Sequence, residues 1–431
     1  MAVQRSGRHG QWCALVCVCA VILGALVWPA KAIVSSNTYL PIQQVVGAER
    51  FYNEGYYGFG VVIANVEAGH VWDQHEVFTT PAGPGVYQVQ DPSLDAIFSQ
   101  TQYDPHATAV GSILTGLGPY QPGIGYYYYQ FGMAPGAALI SSAIATGWVG
   151  NTGEFNISTQ SFNSGYLIPM RDGVPIEVFG KGTGLFITQR ADVVNSSWGF
   201  DDPTGTAQES MTIDALIVSY RQTVCLAAGN HDTGTAQVIG PASGYNGIAV
   251  GALASDQDNP PYRTVATFSN VGPNDFHNPK LNLDIPAVRA AVDITAPGQD
   301  IIAAAYTGST GSNTGLTDPY PGQNDLYYIG IAGTSFASPT VAGGAALMVG
   351  AARDRLGSAT KATDTLIVKA ILMNSADKLP GWTNNTTSVG GVLVTTQGLD
   401  YSSGAGAMNL DRAFDQEFAG NTDLPGPGGG P

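Results

Sequence analysis

The segment GTSFASPTVAGG, residues 333–344, is rich in small residues and opens a longer apolar stretch. Nine of its twelve residues are Gly, Ala, Ser or Thr, and the run AALMVGAAR follows directly. The pattern predicts a helix that begins here, and a helix start offers unpaired N–H groups and the positive end of the helix dipole. Small side chains also let another molecule approach the backbone closely. The segment therefore indicates either a serine hydroxyl, that of Ser335, presented to a bound molecule, or a helix that packs tightly on a neighbour.

Short apolar runs alternate with helical patterns along the rest of the chain. Runs that read as buried strands include FGVVIANVEAG (59–69), APGAALISSAIA (134–145), ADVVNSSWG (191–199), TVCLAAGN (223–230) and GIAVGALA (247–254). Helical spacing follows in HATAVGSILTG and ESMTIDALIVSYR. This alternation predicts an α/β fold with three layers, in which a doubly wound, mostly parallel central sheet carries helices on both faces. In such sheets, functional groups gather where strands end and helices begin.

The composition is that of a globular chain that is poor in charge. The 431 residues are 44% hydrophobic and only 12% charged, and they include 56 Gly and 26 Pro. The net charge of −16 argues against nucleic acid as a partner, because phosphate binding needs clustered Lys and Arg.

The two ends of the chain differ from its middle. Residues 1–32 read as a secretory signal peptide, with a basic start, the apolar run ALVCVCAVILGALVW and small residues before the predicted cleavage site; an uncleaved N-terminal anchor is the alternative. We expect a linker at 33–44, a single domain at 45–418 with an insertion at about 147–185, and a flexible Gly/Pro-rich tail at 419–431. After cleavage no membrane span is expected, and Cys225 is the single remaining cysteine, predicted to be a buried strand residue.

Four segments, taken in chain order, resemble the boxes of the subtilisin-like serine proteases, or subtilases. GTSFASPTVAGG resembles their nucleophile box, HATAVGSILTG their histidine box and AAGN the segment of their oxyanion asparagine. VVIANVEAG stands where the family has the strand that ends in its catalytic aspartate. Supporting likenesses in GMAPGAALI, NSSWG, FSNVG and GAGAMNLDRA extend the resemblance over roughly residues 45–418.

The resemblance implies a set of catalytic roles. Ser335 would be the nucleophile and His106 the base that removes its proton, because a serine hydroxyl is a poor nucleophile without one. Asn230 would donate a hydrogen bond to the oxyanion; the alternative is an asparagine that merely tolerates a turn. The family's second histidine in the histidine box is Ala109 here, so this box offers one imidazole.

The acid departs from the family pattern. Glu67 occupies the position of the usual aspartate and has the same charge on a stem one methylene longer. A carboxylate there would hold His106 in the correct tautomer and stabilise the imidazolium. Asp73 is the fallback acid. His70, His75 and Glu76 nearby fit no zinc spacing, so we interpret them as a surface turn.

The resemblance also implies how a substrate would bind. Ser196, Ser197, Trp198 and Gly199 would pair with an extended peptide as an added strand, with Trp198 reshaping the subsites on the acyl side of the scissile bond. No cofactor is required for the chemistry, the metal ligands are unknown, and structural calcium is an expectation from the family.

The sequence thus predicts an exported serine endopeptidase, monomeric, with peptide or protein substrates. The alternative is a catalytically impaired scaffold of the same fold that binds peptides or proteins. A lipase-like esterase is disfavoured, because its histidine follows its serine along the chain, whereas His106 precedes Ser335.

Overall fold

The computed structural model describes residues 41–80, 83–89, 103–117, 120–121, 125–126, 132–149, 153–177, 184–231, 236–255, 262–306 and 327–418. The predicted signal peptide, the tail at 419–431 and most of the predicted linker lie outside these residues. The described end of the linker begins a short helix, Ile42–Val45, whose Ile42 is buried in the main core.

A seven-stranded parallel sheet forms the centre of the molecule. Its strands are β1 Val62–Glu67, β2 Val86–Gln88, β3 Ala138–Ala143, β4 Val193–Ser196, β5 Thr223–Ala227, β6 Ile248–Leu253 and β7 Ile294–Pro297. They lie in the order β7-β6-β5-β4-β1-β3-β2, and every neighbouring pair is parallel. The predicted α/β class and parallel sheet are confirmed.

Helices cover both faces of this sheet. The four longest are α1 Pro105–Thr115, α2 Gln208–Tyr220, α3 Thr334–Leu356 and α4 Thr365–Ser375. The other helical segments are Ile42–Val45, Glu49–Asn53, Thr159–Leu167 and Leu410–Phe418, with a π-helical turn at Ile168–Asp172 and 3₁₀ turns at Glu76–Phe78 and Lys361–Thr363. Alternate strand residues enter two cores: Ile63 of β1 packs on the face of α1 and α3, whereas Val62 and Ala64 pack on the face of α2.

In the described part of the chain, seven antiparallel pairs of short strands form hairpins outside the central sheet. They pair Thr79–Thr80 with Gly83–Pro84, Tyr120–Gln121 with Gly125–Tyr126, Ala145–Trp148 with Phe155–Ile157, Val174–Glu177 with Phe186–Gln189, Asn274–Asn278 with Leu283–Arg289, Ile301–Ala304 with Tyr327–Ile331, and Thr387–Val389 with Val392–Val394. The predicted insertion at about 147–185 contains most of the hairpin at 145–157 and the helix Thr159–Leu167.

The small residues of the segment 333–344 serve close packing in the body of α3. A Cβ added at Gly343 would lie 2.3 Å from the Met133 Cβ, and one added at Gly344 would lie 2.1 Å from the Met408 Cε. The glycines of this segment therefore serve packing inside the helix, whereas Ser335 lies at its start. In the described part of the chain, α3 alone has the length and apolar character of a membrane span, and 94% of that stretch is buried inside the protein.

The topology creates a crevice between β1 and β4. The chain builds β2 and β3 on one side of β1 and then crosses to β4 on its other side. Parallel sheets bind ligands outside the carboxyl ends of their strands at such a reversal. Glu67 is the last residue of β1, and Ser197 follows the last residue of β4.

Candidate active site

Glu67 and His106 form a hydrogen-bonded pair at the carboxyl end of β1. The Oε2 of Glu67 lies 3.0 Å from the Nδ1 of His106. The Glu67 side chain is only 1% exposed, while that of His106 is 39% exposed. A carboxylate only accepts hydrogen bonds, so Nδ1 carries the proton and Nε2 is left as the basic nitrogen. The two residues therefore have the orientation that a base and its supporting acid need.

The start of α1 holds His106 in place. Asp104 caps this helix, because its Oδ1 accepts a hydrogen bond of 3.0 Å from the backbone N–H of His106. Pro105 occupies the first helical position, where its missing N–H costs nothing. The pattern of a capping acid followed by proline was a readable signal for the helix start, but sequence reasoning did not assign Asp104 a part in the site.

Burial and two nearby carboxylates shift the pKa of His106 in opposite directions. Desolvation lowers the pKa of His106, but the charge and hydrogen bond of Glu67 and the charge of Asp104 raise it, and the net pKa is above its ordinary value. Burial raises the pKa of Asp104 to about 6; His106 opposes this rise and Glu67 adds to it. The site thus favours a protonated imidazole more than water does.

Ser335 is the second residue of α3 and lies on the same rim. It is 8% exposed, and its hydroxyl donates a hydrogen bond of 3.1 Å to the backbone carbonyl of Ser197. The ring of the next residue, Phe336, lies 5.9 Å from that of His106. Within the described residues, no hydrogen bond joins the Ser335 hydroxyl to the His106 imidazole. The structure therefore brings the three residues to one rim and pairs two of them directly.

Ser197 connects the acid to the serine. Its backbone N–H donates to the Oε1 of Glu67 at 2.8 Å. Its hydroxyl donates to the backbone carbonyl of Ser335 at 2.9 Å, in addition to the contact of its own carbonyl with the Ser335 hydroxyl. Sequence reasoning assigned Ser197 to substrate binding and missed this connecting role, which depends on contacts far apart along the chain.

A buried amide network lies beneath these residues. Asn195 donates to the Oδ1 of Asn65 at 3.2 Å and to the hydroxyl of Ser197 at 3.1 Å. Ser338 donates to the Oδ1 of Asn195 at 2.8 Å, and Asn65 donates to the backbone carbonyl of Ala107 at 3.1 Å. These bonds tie β1, β4, α1 and α3 together, and a satisfied buried network fixes the relative position of the elements that it joins.

Asn230 approaches the start of α3 from the segment after β5. Its Oδ1 accepts hydrogen bonds from the backbone N–H of Thr334 at 2.8 Å and from the Thr334 hydroxyl at 3.0 Å. Two donors on Oδ1 fix the amide orientation, so the Nδ2 group is turned away and can donate elsewhere. In the described part of the chain, neither this Nδ2 nor the backbone N–H of Ser335 has a hydrogen-bond partner. Two donors are thus available near the serine.

The four predicted substrate-binding residues separate in the structure. Ser197, Trp198 and Gly199 line a cleft, whereas Ser196 ends β4 inside the sheet, and its hydroxyl lies 2.7 Å from that of Tyr166. Gly199 has no room for a side chain, because a Cβ there would lie 2.6 Å from Ile239 Cδ1.

The residues that follow β1 are not a surface turn. His70 and His75 are buried, at 1% and 0% exposure, so that interpretation is wrong for both histidines. Burial lowers the pKa of His70 to about 4, and its Nδ1 lies 3.2 Å from the hydroxyl of Ser141. Asp73 accepts a hydrogen bond of 3.2 Å from the Tyr103 hydroxyl. Among the residues that the structure describes, no group of three or more His, Cys, Asp or Glu is placed to hold a metal ion.

The cleft beside the Glu67–His106 pair has a volume of about 1010 Å³. Its walls come from the ends of β1 and β4, the starts of α1, α2 and α3, and the hairpin at 145–157. Five aromatic side chains are among the lining residues, namely Trp148, Phe155, Trp198, Phe200 and Phe336. The cleft is large enough for several residues of an extended peptide.

Comparisons with known proteins show which family and which proteins the chain is similar to. Residues 64–406 match the model of the subtilase family, Peptidase S8. The chain is 30% identical over 191 residues to "Thermophilic serine proteinase" of Bacillus sp. (strain AK1), covering 44% of this chain and 34% of that protein. It is 34% identical over 155 residues to "Extracellular serine proteinase" of Thermus sp. (strain Rt41A), covering 36% of this chain and 27% of that protein. The matches thus span about a quarter to a third of these relatives' lengths.

A solved structure, "Structure of Prenylagaramide maturation protease PagA", superposes with a TM-score of 0.55 at 20% identity. The match covers 86% of this chain and 98% of that one. At this identity the likeness concerns the fold alone.

Proposed function

Because residues 64–406 match its family model, the chain belongs to the subtilase family, and we propose that it is a serine endopeptidase that hydrolyses peptide bonds through an acyl-enzyme. The observation that carries the proposal is the Glu67–His106 hydrogen bond beside the start of α3, where Ser335 lies. Family membership supplies the reaction class, and the pair supplies a base that is already in the required tautomer.

The first step requires the Ser335 hydroxyl to change its hydrogen-bond partner. It would have to leave the Ser197 carbonyl and donate to the Nε2 of His106 instead. Catalytic hydrogen bonds are often long or unformed until substrate binds. The Ser335 oxygen then attacks the substrate carbonyl, its proton passes to Nε2, and Glu67 stabilises the resulting imidazolium.

The remaining steps use the same groups. The tetrahedral oxyanion would accept hydrogen bonds from the Nδ2 of Asn230 and the backbone N–H of Ser335, the two donors without partners in the described part of the chain. His106 returns its proton to the leaving amine as the C–N bond breaks. A water molecule then attacks the acyl-enzyme and gives a proton to His106, which passes it to the Ser335 oxygen as the ester C–O bond breaks and the carboxylic acid product leaves.

A second candidate is a scaffold of this fold that binds peptides without cleaving them. The hydrogen bond from the Ser335 hydroxyl to the Ser197 carbonyl favours it, because a serine held there is not activated. The two candidates differ in whether substrate turns the hydroxyl toward His106.

Covalent labelling distinguishes the candidates. Purified protein is incubated with a fluorophosphonate, and the adduct is located by mass spectrometry of peptides. An endopeptidase gives one adduct at Ser335, lost in Ser335→Ala and strongly reduced in His106→Ala, and it cleaves unfolded casein. Absence of labelling and of casein cleavage between pH 6 and pH 10, with peptide binding retained, would establish the scaffold instead.

We also propose that the protein is exported and acts as a monomer on peptides or proteins. Support for export comes from the predicted signal peptide and from the names of the extracellular relatives. The proposed chemistry uses no cofactor. Structural calcium stays a prediction from the family, which a comparison of melting temperatures with and without EDTA would test.

A further inference from the structure

The charges on the cleft wall are of one sign. Four carboxylates line it, those of Glu67, Asp104, Glu154 and Glu209. Among the described residues of the wall there is no lysine or arginine, and His106 is the single group that can become cationic. A concave, partly water-excluded site with one sign of charge concentrates ligands of the opposite sign.

Glu209 differs from the two acids beside the imidazole. Glu67 and Asp104 are buried and hydrogen-bonded to the catalytic machinery, whereas Glu209 is partly exposed in the first turn of α2. Over the part of the chain that the structure describes, its carboxylate has neither a salt bridge nor a hydrogen bond. An acid in a first turn also stabilises its helix through the dipole, so this purely structural role has to be separated by experiment.

Aromatic rings lie on the same cleft wall as Glu209. Trp198 and Phe200 also line the cleft, and their rings stack with centroids 6.0 Å apart and an angle of 26° between the planes. Trp198 lies on the edge that is expected to pair with the acyl side of a substrate. Such a surface suits the aliphatic stem of a long cationic side chain, and a carboxylate in the same cleft suits its charged head.

We propose that Glu209 selects peptides that carry an arginine or lysine on the acyl side of the scissile bond, with the stem of that side chain packed along Trp198 and Phe200. This inference rests on the proposed endopeptidase function and adds the substrate class to it. The attraction is between a carboxylate and a cation at a partly exposed place, so salt weakens it.

Matched internally quenched peptides test the proposal. One neutral parent sequence is compared with versions that carry arginine at each single position on either side of the cleaved bond. We expect one acyl-side position at which arginine raises kcat/KM about fivefold over glutamine, the size that a partly exposed ion pair supports. Glu209→Gln should bring this ratio close to one, Glu209→Lys should bring it below one, and raised salt should reduce it in the wild type alone.

Asp411→Asn is the matched control, because Asp411 is likewise an acid in a first turn, on the helix Leu410–Phe418, and does not line the cleft. If Glu209 only stabilises α2, Glu209→Gln lowers the melting temperature as Asp411→Asn does and leaves the ratio of kcat/KM between arginine and glutamine peptides unchanged. That result would overturn the inference. An equal ratio for all peptides in the wild type would overturn it as well.

Failure of the endopeptidase proposal gives a different result. If no peptide is cleaved and no probe labels Ser335, the same peptides, fluorescently labelled, are titrated into Ser335→Ala and into the Ser335→Ala Glu209→Gln double variant. Tighter binding of the arginine peptide that disappears in the double variant supports the charge selection without catalysis. Equal binding of arginine and glutamine peptides refutes it.

Discussion

Replacing Glu67 by glutamine should abolish catalysis by reversing the tautomer of His106. The Oε1 of Glu67 accepts a hydrogen bond from the backbone N–H of Ser197 at 2.8 Å, and its Oε2 faces the Nδ1 of His106 at 3.0 Å. A glutamine must keep its oxygen toward the Ser197 N–H, because the reverse orientation would set two donors against each other at a buried place. Its NH₂ group then faces Nδ1, which has to become an acceptor.

The expected loss of kcat follows from the change of the His106 tautomer. With Nδ1 as an acceptor, the ring proton moves to Nε2, and the imidazole can no longer remove the proton of Ser335. A supporting acid changed to its amide in another serine protease costs about 10⁴ in kcat through the wrong tautomer, and we expect about the same loss for Glu67→Gln. Glu67→Asp keeps the charge but draws the carboxylate back by about 1.5 Å, one C–C bond. It can then keep only one of the two contacts, and a misplacement of about 1 Å costs about 10²-fold.

Two measurements check the prediction. Steady-state hydrolysis of an internally quenched peptide gives kcat for the wild type and both variants, with circular dichroism melting as the control for folding. Nitrogen NMR of histidine-labelled protein reports the tautomer, which should be Nδ1–H in the wild type and Nε2–H in Glu67→Gln. A glutamine variant within tenfold of the wild-type kcat, or one whose tautomer is unchanged, would refute the role given to Glu67.

Three further substitutions test other parts of the site. Asn230→Asp keeps the acceptor for Thr334 but replaces the oxyanion donor, so kcat should fall about 10²- to 10³-fold with little change in KM, the size of loss known for such a donor in a subtilisin, a member of this family; an unchanged kcat would exclude the donor role. Asp104→Asn keeps the helix cap and removes a charge that raises the pKa of His106, so the acid limb of the kcat/KM–pH profile should move to lower pH; a shift to higher pH would contradict this electrostatic account. Burial lowers the pKa of His70 from 6.5 to about 4, so as the pH falls the unfolded state takes up a proton at this residue at a higher pH than the folded state does. The contribution of His70 to the free energy of unfolding should therefore drop by about 3 kcal/mol from pH 6.5 to pH 4. Urea unfolding of His70→Asn should show a pH dependence smaller by that amount, and an equal dependence would count against burial of a neutral imidazole.

Local sequence signals predicted most of the elements. The apolar runs that became β1, β4 and β5 end in turn residues, and a fully buried parallel strand needs no other signal. The same runs located Glu67 and the segment before Asn230, because the end of a strand can be read from the local sequence without knowing how that strand pairs with its neighbours. The start of α1 was equally readable from Pro105 at its first position and from Asp104, the polar residue before it.

Side-chain environments were not predicted, because they depend on pairing between distant segments. Ser196 and Ser197 are neighbours and both are buried, yet the Ser196 hydroxyl contacts that of Tyr166 while Ser197 lines the cleft, since successive residues of an extended chain face opposite sides. His70 is covered because the segment at Tyr103 pairs with it as an isolated bridge. A single chain pattern carries no information on which distant segment covers a given residue.

The longer stem of glutamate fits this site because its carboxylate is held at two points. One oxygen is fixed by the Ser197 N–H, and Ser197 also contacts both the hydroxyl and the carbonyl of Ser335. Displacement of the acid would therefore disturb the segment that holds the serine, and the amide network below joins that segment to α1, which carries His106. A flexible side chain loses conformational freedom when both of its oxygens accept hydrogen bonds. A shorter acid has fewer rotatable bonds to restrict, and here the hydrogen bond from the backbone after β4 helps to restrict the longer one. We therefore expect the geometry of the proposed site to depend more on Ser197 than on the length of the acid.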